Sequence, residues 1–600
     1  MKSRTCNKPR AHTGRYWLAA AALAVSGGAQ AGTFRLFDGS VEGSFDTTLG
    51  YGLQMRTEKY DPDLSRAWPY TSSELLNNQY GNRTLFNKKW DIFSNLVKAS
   101  HDLQLNGDGW SAFMRGNYFY DFAMASEKDS LPSASENRAI MHGDITDAYL
   151  LTRLGSADQF TVRLGKQVIS WGENTFIGGS LNDINTVDIS KIRQPGVELK
   201  DALVGTPAAY FSWQATDAMS LEAFVLLGYD ELKADPYGAF FGTLDPITDG
   251  AGFANGAVFD PAGPLGPYSV CGAPDGGQCN LALGSIPVVR SGDNIPSSGG
   301  QYGLAIRYYA PNLGSGFDFG LYYQNLHDHN PQLSATAGAL VGPFPNDPGT
   351  FFLDYAKDVE RYGFSFNTTL GPWALGGEYS YRRNAPIQGT DFLVVAATGS
   401  DLSGNAYTPG EEFRGFERYK RHQIQLTTQR LWGPMPMLLG ADQWNTIGEV
   451  AYGWVDDVPG LDVNGHEKTG YTTPQLAALS QAGGGFLRFD DITKSFWGFQ
   501  ARSTLTYNNI LFNRINMDFN TAFRWDVEGV SPELGGAQLF VGGRKQASIG
   551  VTFDYALRWK VGINQTFIFD GDNDQWRPSR SRNVSGTDRD FLSMDVSYTF

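Results

Sequence analysis

The sequence is poor in cysteine, in histidine and in long apolar runs. Three cysteines and seven histidines among 600 residues leave little material for a disulfide framework or a multi-histidine metal centre. Beyond the first thirty or so residues, no apolar run reaches the ~20 residues that a membrane-spanning helix needs. Positive charge is also scarce. The net charge of −15 argues against nucleic acid or an anionic membrane surface as a partner. No G-x-S-x-G elbow occurs, since "GGSLN" lacks its second glycine. Asp570 to Asp574 ("DGDND") begins like a Ca²⁺ loop, but Gln575 stands where glycine is required and Ser581 where glutamate is. His327-Asp328-His329 puts two imidazoles on one face of a strand where it runs into a polar loop, with no third ligand indicated. These absences point to no catalytic residues, no metal and no cofactor.

What is present begins with a basic N-terminus. Lys2, Arg4, Lys8, Arg10 and Arg15 precede a short apolar run, Tyr16 to Val25, and then Ala29-Gln30-Ala31. Basic, apolar and small-residue regions in that order read as a secretory signal peptide over 1–31. Its removal would take the net charge from −15 to −20, because five basic residues leave with it. Two cysteines then remain, Cys271 and Cys279, with Pro, Asp and Gly between them. In an exported chain, so close a pair suggests a small disulfide that pins a loop.

The dominant signal is a period of two. In "SFDTTLGYGLQMR", Phe45, Thr47, Leu49, Tyr51, Leu53 and Met55 oppose Ser44, Asp46, Thr48, Gly50, Gly52, Gln54 and Arg56. "NRINMDFNTAFRWD" and "QASIGVTFDY" alternate in the same way. Such alternation specifies β-strands. Their length of ten to fourteen residues matches a tilted strand crossing a bilayer rather than the shorter strands of a soluble sandwich. Aromatics, 14% of the chain, gather near strand ends, as interfacial girdles do.

Connections give an independent test. Short turns are expected near 106–109, 155–158, 215–219, 311–315, 371–372, 431–443, 508–510 and 556–557. Long gaps fall at 58–89, 122–142, 171–205, 230–300, 327–357, 385–417, 457–493, 527–542 and 571–589. Eight short and nine long connections predict about 18 strands, within 16–20. The expected fold is therefore all-β: a closed transmembrane antiparallel β-barrel over 32–600, with short periplasmic turns and long external loops. The final segment "FLSMDVSYTF" fits its last strand, pairing with the first so that no edge is left in lipid. Its alternation, with Tyr598 and the terminal Phe600, resembles the signal read by the barrel assembly machinery.

The expected interior is wet. Arg163, Gln167, Glu222, Arg307, Asp318, Gln324, Glu378, Arg382, Gln500, Arg502 and Arg524 fall on the polar faces. A barrel of this size holds an aqueous channel unless something plugs it. The third gap, 170–205, is the candidate. It carries Trp171, Phe176, Ile177, Leu181, Ile184, Val187, Ile189 and Ile192, too many apolar residues for a solvated loop. Folded inward, its charges Glu173, Asp183, Asp188, Lys191, Arg193 and Lys200 would set a transverse field, acids meeting bases across or beside the bore. Arg163 and Gln167, which lead into it, and Glu222 nearby complete the expected constriction.

Two stretches in this region, "RLGKQVISWGENTFIGG" (163–179) and "KIRQPGVELKDALVGTPAAYFSWQATDAMSLEAFVL" (191–226), resemble the signature of domain-of-unknown-function family thirteen-oh-two. The resemblance implies a signal-bearing protein of the Gram-negative outer membrane. It also implies genes that accompany efflux-type exporters and an outer-membrane lipoprotein, in settings of hydrophobic-compound metabolism. It brings no catalytic residues.

The function expected is passive passage of small solutes through an outer-membrane channel, hydrophobic compounds among them, in association with an export system. Lipid, lipopolysaccharide and the assembly machinery are the expected partners, and nucleic acid is not. A barrel enzyme acting on lipid or ester substrates, and a receptor or adhesion barrel, stand as alternatives.

Overall fold

The structure, a computed structural model, describes residues 32–60, 85–197, 199–242, 247–248, 256–259, 269–271, 286–341, 344–347, 349–389, 395–396, 399–400, 405–456, 493–511, 514–533, 539–570 and 587–600. The expected signal segment, Cys279, Asp572 and Asp574 lie outside these, so the disulfide expectation does too.

Eighteen strands form one closed antiparallel ring. They are β1 (Val41–Arg56), β2 (Ile92–Gly107), β3 (Trp110–Asp121), β4 (Met141–Leu154), β5 (Phe160–Gln167) and β6 (Thr206–Thr216). Next come β7 (Met219–Leu226), β8 (Tyr302–Ala310), β9 (Phe317–Leu326), β10 (Val359–Leu370), β11 (Trp373–Gln388) and β12 (Phe416–Leu431). The ring ends with β13 (Gln443–Val455), β14 (Ser495–Leu511), β15 (Ile515–Glu528), β16 (Arg544–Tyr555), β17 (Trp559–Asp570) and β18 (Phe591–Thr599).

Each strand pairs with its sequence neighbours, and β18 returns to β1 from Thr48↔Thr599 to Arg56↔Phe591. Phe600 and Thr47 exchange two backbone hydrogen bonds just beyond this ladder. The strand Gly32–Leu36 folds back on Val41–Phe45, the stretch of β1 that β18 does not reach. The expected strand count, the parity and the alternation of short and long links all hold.

The links follow local chemistry. The β2–β3 turn is Asp108-Gly109, with Gly109 at φ +71°. The β10–β11 turn places Gly371 at φ +58° and Pro372 after it. At the second turn, a positive φ at Gly371 followed by the fixed negative φ of Pro372 is the order of a type II′ hairpin, whose twist matches the strands. Along the strands the pleat sorts the side chains: on β9, Leu321 is 57% exposed while Gln324 is fully buried. The exposed face is an apolar belt that includes Leu164, Leu304, Ile306, Phe364, Ile424, Val450 and Ile563. The inner face is polar, as a lipid-embedded barrel with a wet interior requires.

At the long-loop end, loop segments build a small cap. Ile286–Arg290, Thr350–Asp354, Gln332–Thr336 and Glu412–Phe413 belong to a second sheet. Leu333, Phe351 and Leu353 on its strands pack together with Ala396.

Candidate pore and its luminal loop

Beyond Gln167 the chain leaves the wall and enters the lumen, returning at Thr206. The cause is apolar content. Ile169, Trp171, Leu181 and Ile184 bury completely against the inward side chains Ala208, Phe224, Leu226, Ala305, Tyr322 and Leu326. Trp171 packs 4.8 Å from Phe224 between ring centroids. Its indole Nε1 donates to Glu222 at 2.7 Å, and Arg307 holds the other Glu222 oxygen at 2.8 Å. Close approach needs glycine in the wall. A β-carbon on Gly363 would lie 2.2 Å from Leu181, and one on Gly52 equally close to Pro195.

The first half of the loop is held through its backbone. Glu378 accepts from the amides of Glu173 (2.6 Å) and Asn174 (3.3 Å). Glu449 accepts from those of Thr175 (2.5 Å), Phe176 (3.2 Å) and Ile177 (2.6 Å). Gln425 and Gln423 donate to the carbonyls of Ile177 and Gly178 at 2.6 and 2.8 Å. Gln324 donates to Leu181, and Arg361 to Asp183. Arg382 pairs with the Asp183 carboxylate at 2.7 Å. Buried backbone groups must be satisfied, and here the wall of β9 to β13 does it.

The second half crosses toward the start of the chain. Asp188 caps the short helix Ile189–Ile192 by accepting from Ser190 and Lys191, and lies 3.5 Å from Arg138. The Lys191 ammonium donates to Asn117 and Asp144, both at 3.0 Å. Arg193 pairs with Asp235, while Gln54 and Lys98 donate to the carbonyls of Arg193 and Gly196. Burial lifts the Glu173 carboxyl above its usual range, against an Asn367 hydrogen bond. For Asp183 burial acts upward too, but Arg382 and Arg361 outweigh it and hold the carboxyl low.

The loop charges are thus matched mainly by the wall and by neighbouring loops. The sequence suggested that the loop acids meet the loop bases, but the Lys191 ammonium pairs with Asp144, the Arg193 guanidinium with Asp235 and the Asp183 carboxylate with Arg382. Arg163 and Gln167 bind each other at the end of β5, and Gln167 also donates to the Ala208 carbonyl. Tyr149 and Tyr210 flank the Arg163 guanidinium, each 5.2 Å away. Sequence reasoning passed over Glu449, Arg361, Arg421, Gln423 and Gln425. Their only signal was inward parity on an alternating strand.

The wall of β15 to β18 differs. The register places Asn520, Gly550, Asn564 and Ser593 on one inward line across β15 to β18. Among the described residues, no hydrogen bond joins 168–205 to β15, β16 or β17. Arg502, exposed in the bore, stacks 4.4 Å over Phe176 of the loop. The β15–β16 link also bends inward, so that Phe540 packs on Phe496 and Ile177 and Glu533 pairs with Arg421.

His327 and His329 are both buried. His329 contacts the carbonyls of Asp230 (2.6 Å) and Ile184 (3.2 Å). His327 contacts the Gly299 carbonyl and accepts from the Asp358 amide. Both rings tie loops together. Among the described residues no group of His, Cys, Asp and Glu is arranged to hold a metal.

A family model described as "Protein of unknown function (DUF1302)" matches residues 13–600, and the chain belongs to that family. No curated protein matches the chain. Among solved structures, Pseudomonas aeruginosa OccK2 (OpdF) in complex with glucuronate is 9% identical, with 93% of this chain and 98% of that one covered and a TM-score of 0.37. Pseudomonas aeruginosa OpdK with vanillate has 9% identity, the same two coverages and a TM-score of 0.38. Acinetobacter baumannii OccAB3 has 10% identity, coverages of 93% and 99%, and a TM-score of 0.38.

Proposed function

We propose that this member of the DUF1302 family is a porin-like channel of the Gram-negative outer membrane that lets small solutes pass down their gradients. One observation carries the reading. The luminal loop is fastened to β9–β13 by carboxylates, amides and guanidiniums and farther on to β1–β4, while among the described residues no hydrogen bond joins it to β15–β17, where Asn520, Gly550 and Asn564 line the bore. A strut anchored along only part of the ring narrows a bore and leaves a polar path along the stretch of wall it does not bind. The reading assigns no catalytic residues. Hydrophobic cargo and a partner exporter belong to the same proposal and rest on the family resemblance.

Conductance of the purified protein in a planar bilayer is the test. Discrete ion-conducting steps, enlarged when 174–182 is replaced by a short glycine-serine linker, are expected. A correctly folded barrel that conducts nothing would overturn the reading in favour of the enzyme or receptor alternatives.

A further inference from the structure

The wall has one interrupted edge. β3 pairs with β4 from Trp110↔Thr152 to Tyr120↔Met141, but β5 pairs with β4 only between Leu154↔Phe160 and Ala148↔Lys166. Met141–Asp147 therefore has a strand partner on one side alone. No strand ladder forms on its other edge, where the Gly205 backbone packs against the Thr146 carbonyl. β5 and β7 are eight residues each. A strand tilted about 40° climbs roughly 2.5 Å per residue, so eight residues rise ~20 Å, short of the ~25 Å apolar band.

Loop segments fill the notch above them. Leu203–Val204 approaches β4 to within 8 Å between Cα atoms and pairs with Thr186–Val187. Ile189 and Val187 bond to Lys233, and Leu232 bonds to His329. Each contact is only one or two residues long. Lys191, bound to Asp144 and Asn117, straps the patch to β4 and β3.

The outer side of the patch is apolar, and apolar residues back the segments that fill it, while β4 turns His142 and Asp144 toward the lumen. On the outer face Met141 (47% exposed), Ile145 (51%), Val225 (49%) and Leu227 (54%) flank it. Inside the barrel, Ile184, Phe224 and Leu226 belong to the buried cluster beneath it. That cluster borders the filled notch on its β6–β9 side.

We propose that the free edge of Met141–Asp147 is a lateral portal, through which small apolar solutes move between the lumen and the surrounding membrane. This rests on the channel reading and names a cargo class for it. Parting the patch from β4 breaks no strand ladder. It requires release of the Lys191 strap from Asp144 and Asn117, and it opens a path past Ile184, Ala202 and Val204 to the apolar exterior, so a nonpolar solute need not leave through water.

The test locks the edge. Cysteines replace Ile145 and Leu203 in one variant and Thr146 and Val204 in a second, both with Cys271→Ser and Cys279→Ser. Disulfide formation is read from electrophoretic mobility with and without dithiothreitol, and folding from heat-modifiable migration. The probe is N-phenyl-1-naphthylamine, whose uptake by intact cells is barred by their lipopolysaccharide leaflet. Expression of the unlocked protein should raise its uptake rate above an empty-vector strain. The oxidised lock should cut that gain at least fivefold, reductant should restore it, and bilayer conductance to potassium chloride should stay within twofold. Unchanged uptake through a verified cross-link would overturn the portal, as would uptake and conductance falling together. Lock-dependent uptake by a protein that conducts no ions would keep the portal and sink the channel reading.

Discussion

The Glu449 carboxylate holds the backbone amide of Ile177 at 2.6 Å, across 272 residues of sequence. The same group takes the amides of Thr175 and Phe176 and the hydroxyl of Thr427. Charge-assisted bonds of this kind contribute roughly 1.5–3 kcal/mol each, and losing the acceptor strands buried donors. Glu449→Ala should therefore release the loop tip without unfolding the barrel. Larger, noisier single-channel currents and new proteolytic cleavage within 173–180 are expected; wild-type currents would show that the tip is held elsewhere.

Asp183 and Arg382 form the second clasp. Because Asp183 is held low, its contribution is complete above the unfolded carboxyl value of about 3.9 and is lost as pH falls through the lower folded value. Conductance should stay level from neutrality to that value and rise on further acidification. Asp183→Asn should show the looser state already at neutral pH. An acid response of equal size in Asp183→Asn and wild type would place the titrating group elsewhere.

Phe519 and Asn520 test the two faces of the wall. Phe519 pairs with Leu505 and Val551, and Asn520 with Thr504 and Gly550. Phe519→Arg puts a charge toward lipid, at about 2–4 kcal/mol near the bilayer midplane. Asn520→Arg points it into the lumen. Urea unfolding in lipid vesicles should show the first clearly destabilised and the second nearly unchanged; equal midpoints would contradict the inward and outward assignment.

Phe600 stacks on Tyr598, 5.6 Å between ring centroids, and Tyr598 packs at a tilt against Trp559 at 4.6 Å. Deleting Phe600 removes that stack and the two bonds to Thr47. Membrane yield should fall and unassembled chain should collect in the periplasm. Full yield of heat-modifiable protein would count against an assembly role.

Much of this barrel was readable from alternation and from the gaps between alternating runs, because a two-residue period and a turn are both local properties. The inward loop announced itself through Trp171, Leu181 and Ile184, which a solvated loop has no reason to carry. Its fastenings were not readable. Glu378 and Glu449 look like any inward acids, and nothing near them in sequence says that they will bind amides more than 200 residues away. The free edge of β4 was equally silent. Met141–Asp147 alternates like a paired strand, and the shortage lies in β5, whose chain turns inward to bury an apolar loop.

The Thr48–Thr599 contact, 551 residues apart, sets the order of events in folding. Every other ring pairing joins consecutive strands, so the sheet can zip one hairpin at a time, with each step closing a modest length of chain. The last step cannot be local. Closing a free loop of that length would cost on the order of 5–6 kcal/mol in chain entropy by the logarithmic rule, before any contact repays it. A sheet already zipped and curled brings the two ends near each other and avoids most of that cost. Ring closure is therefore the high-contact-order, slow event. Until it occurs, the chain presents two unsatisfied sheet edges, which makes the open intermediate the species most prone to aggregate.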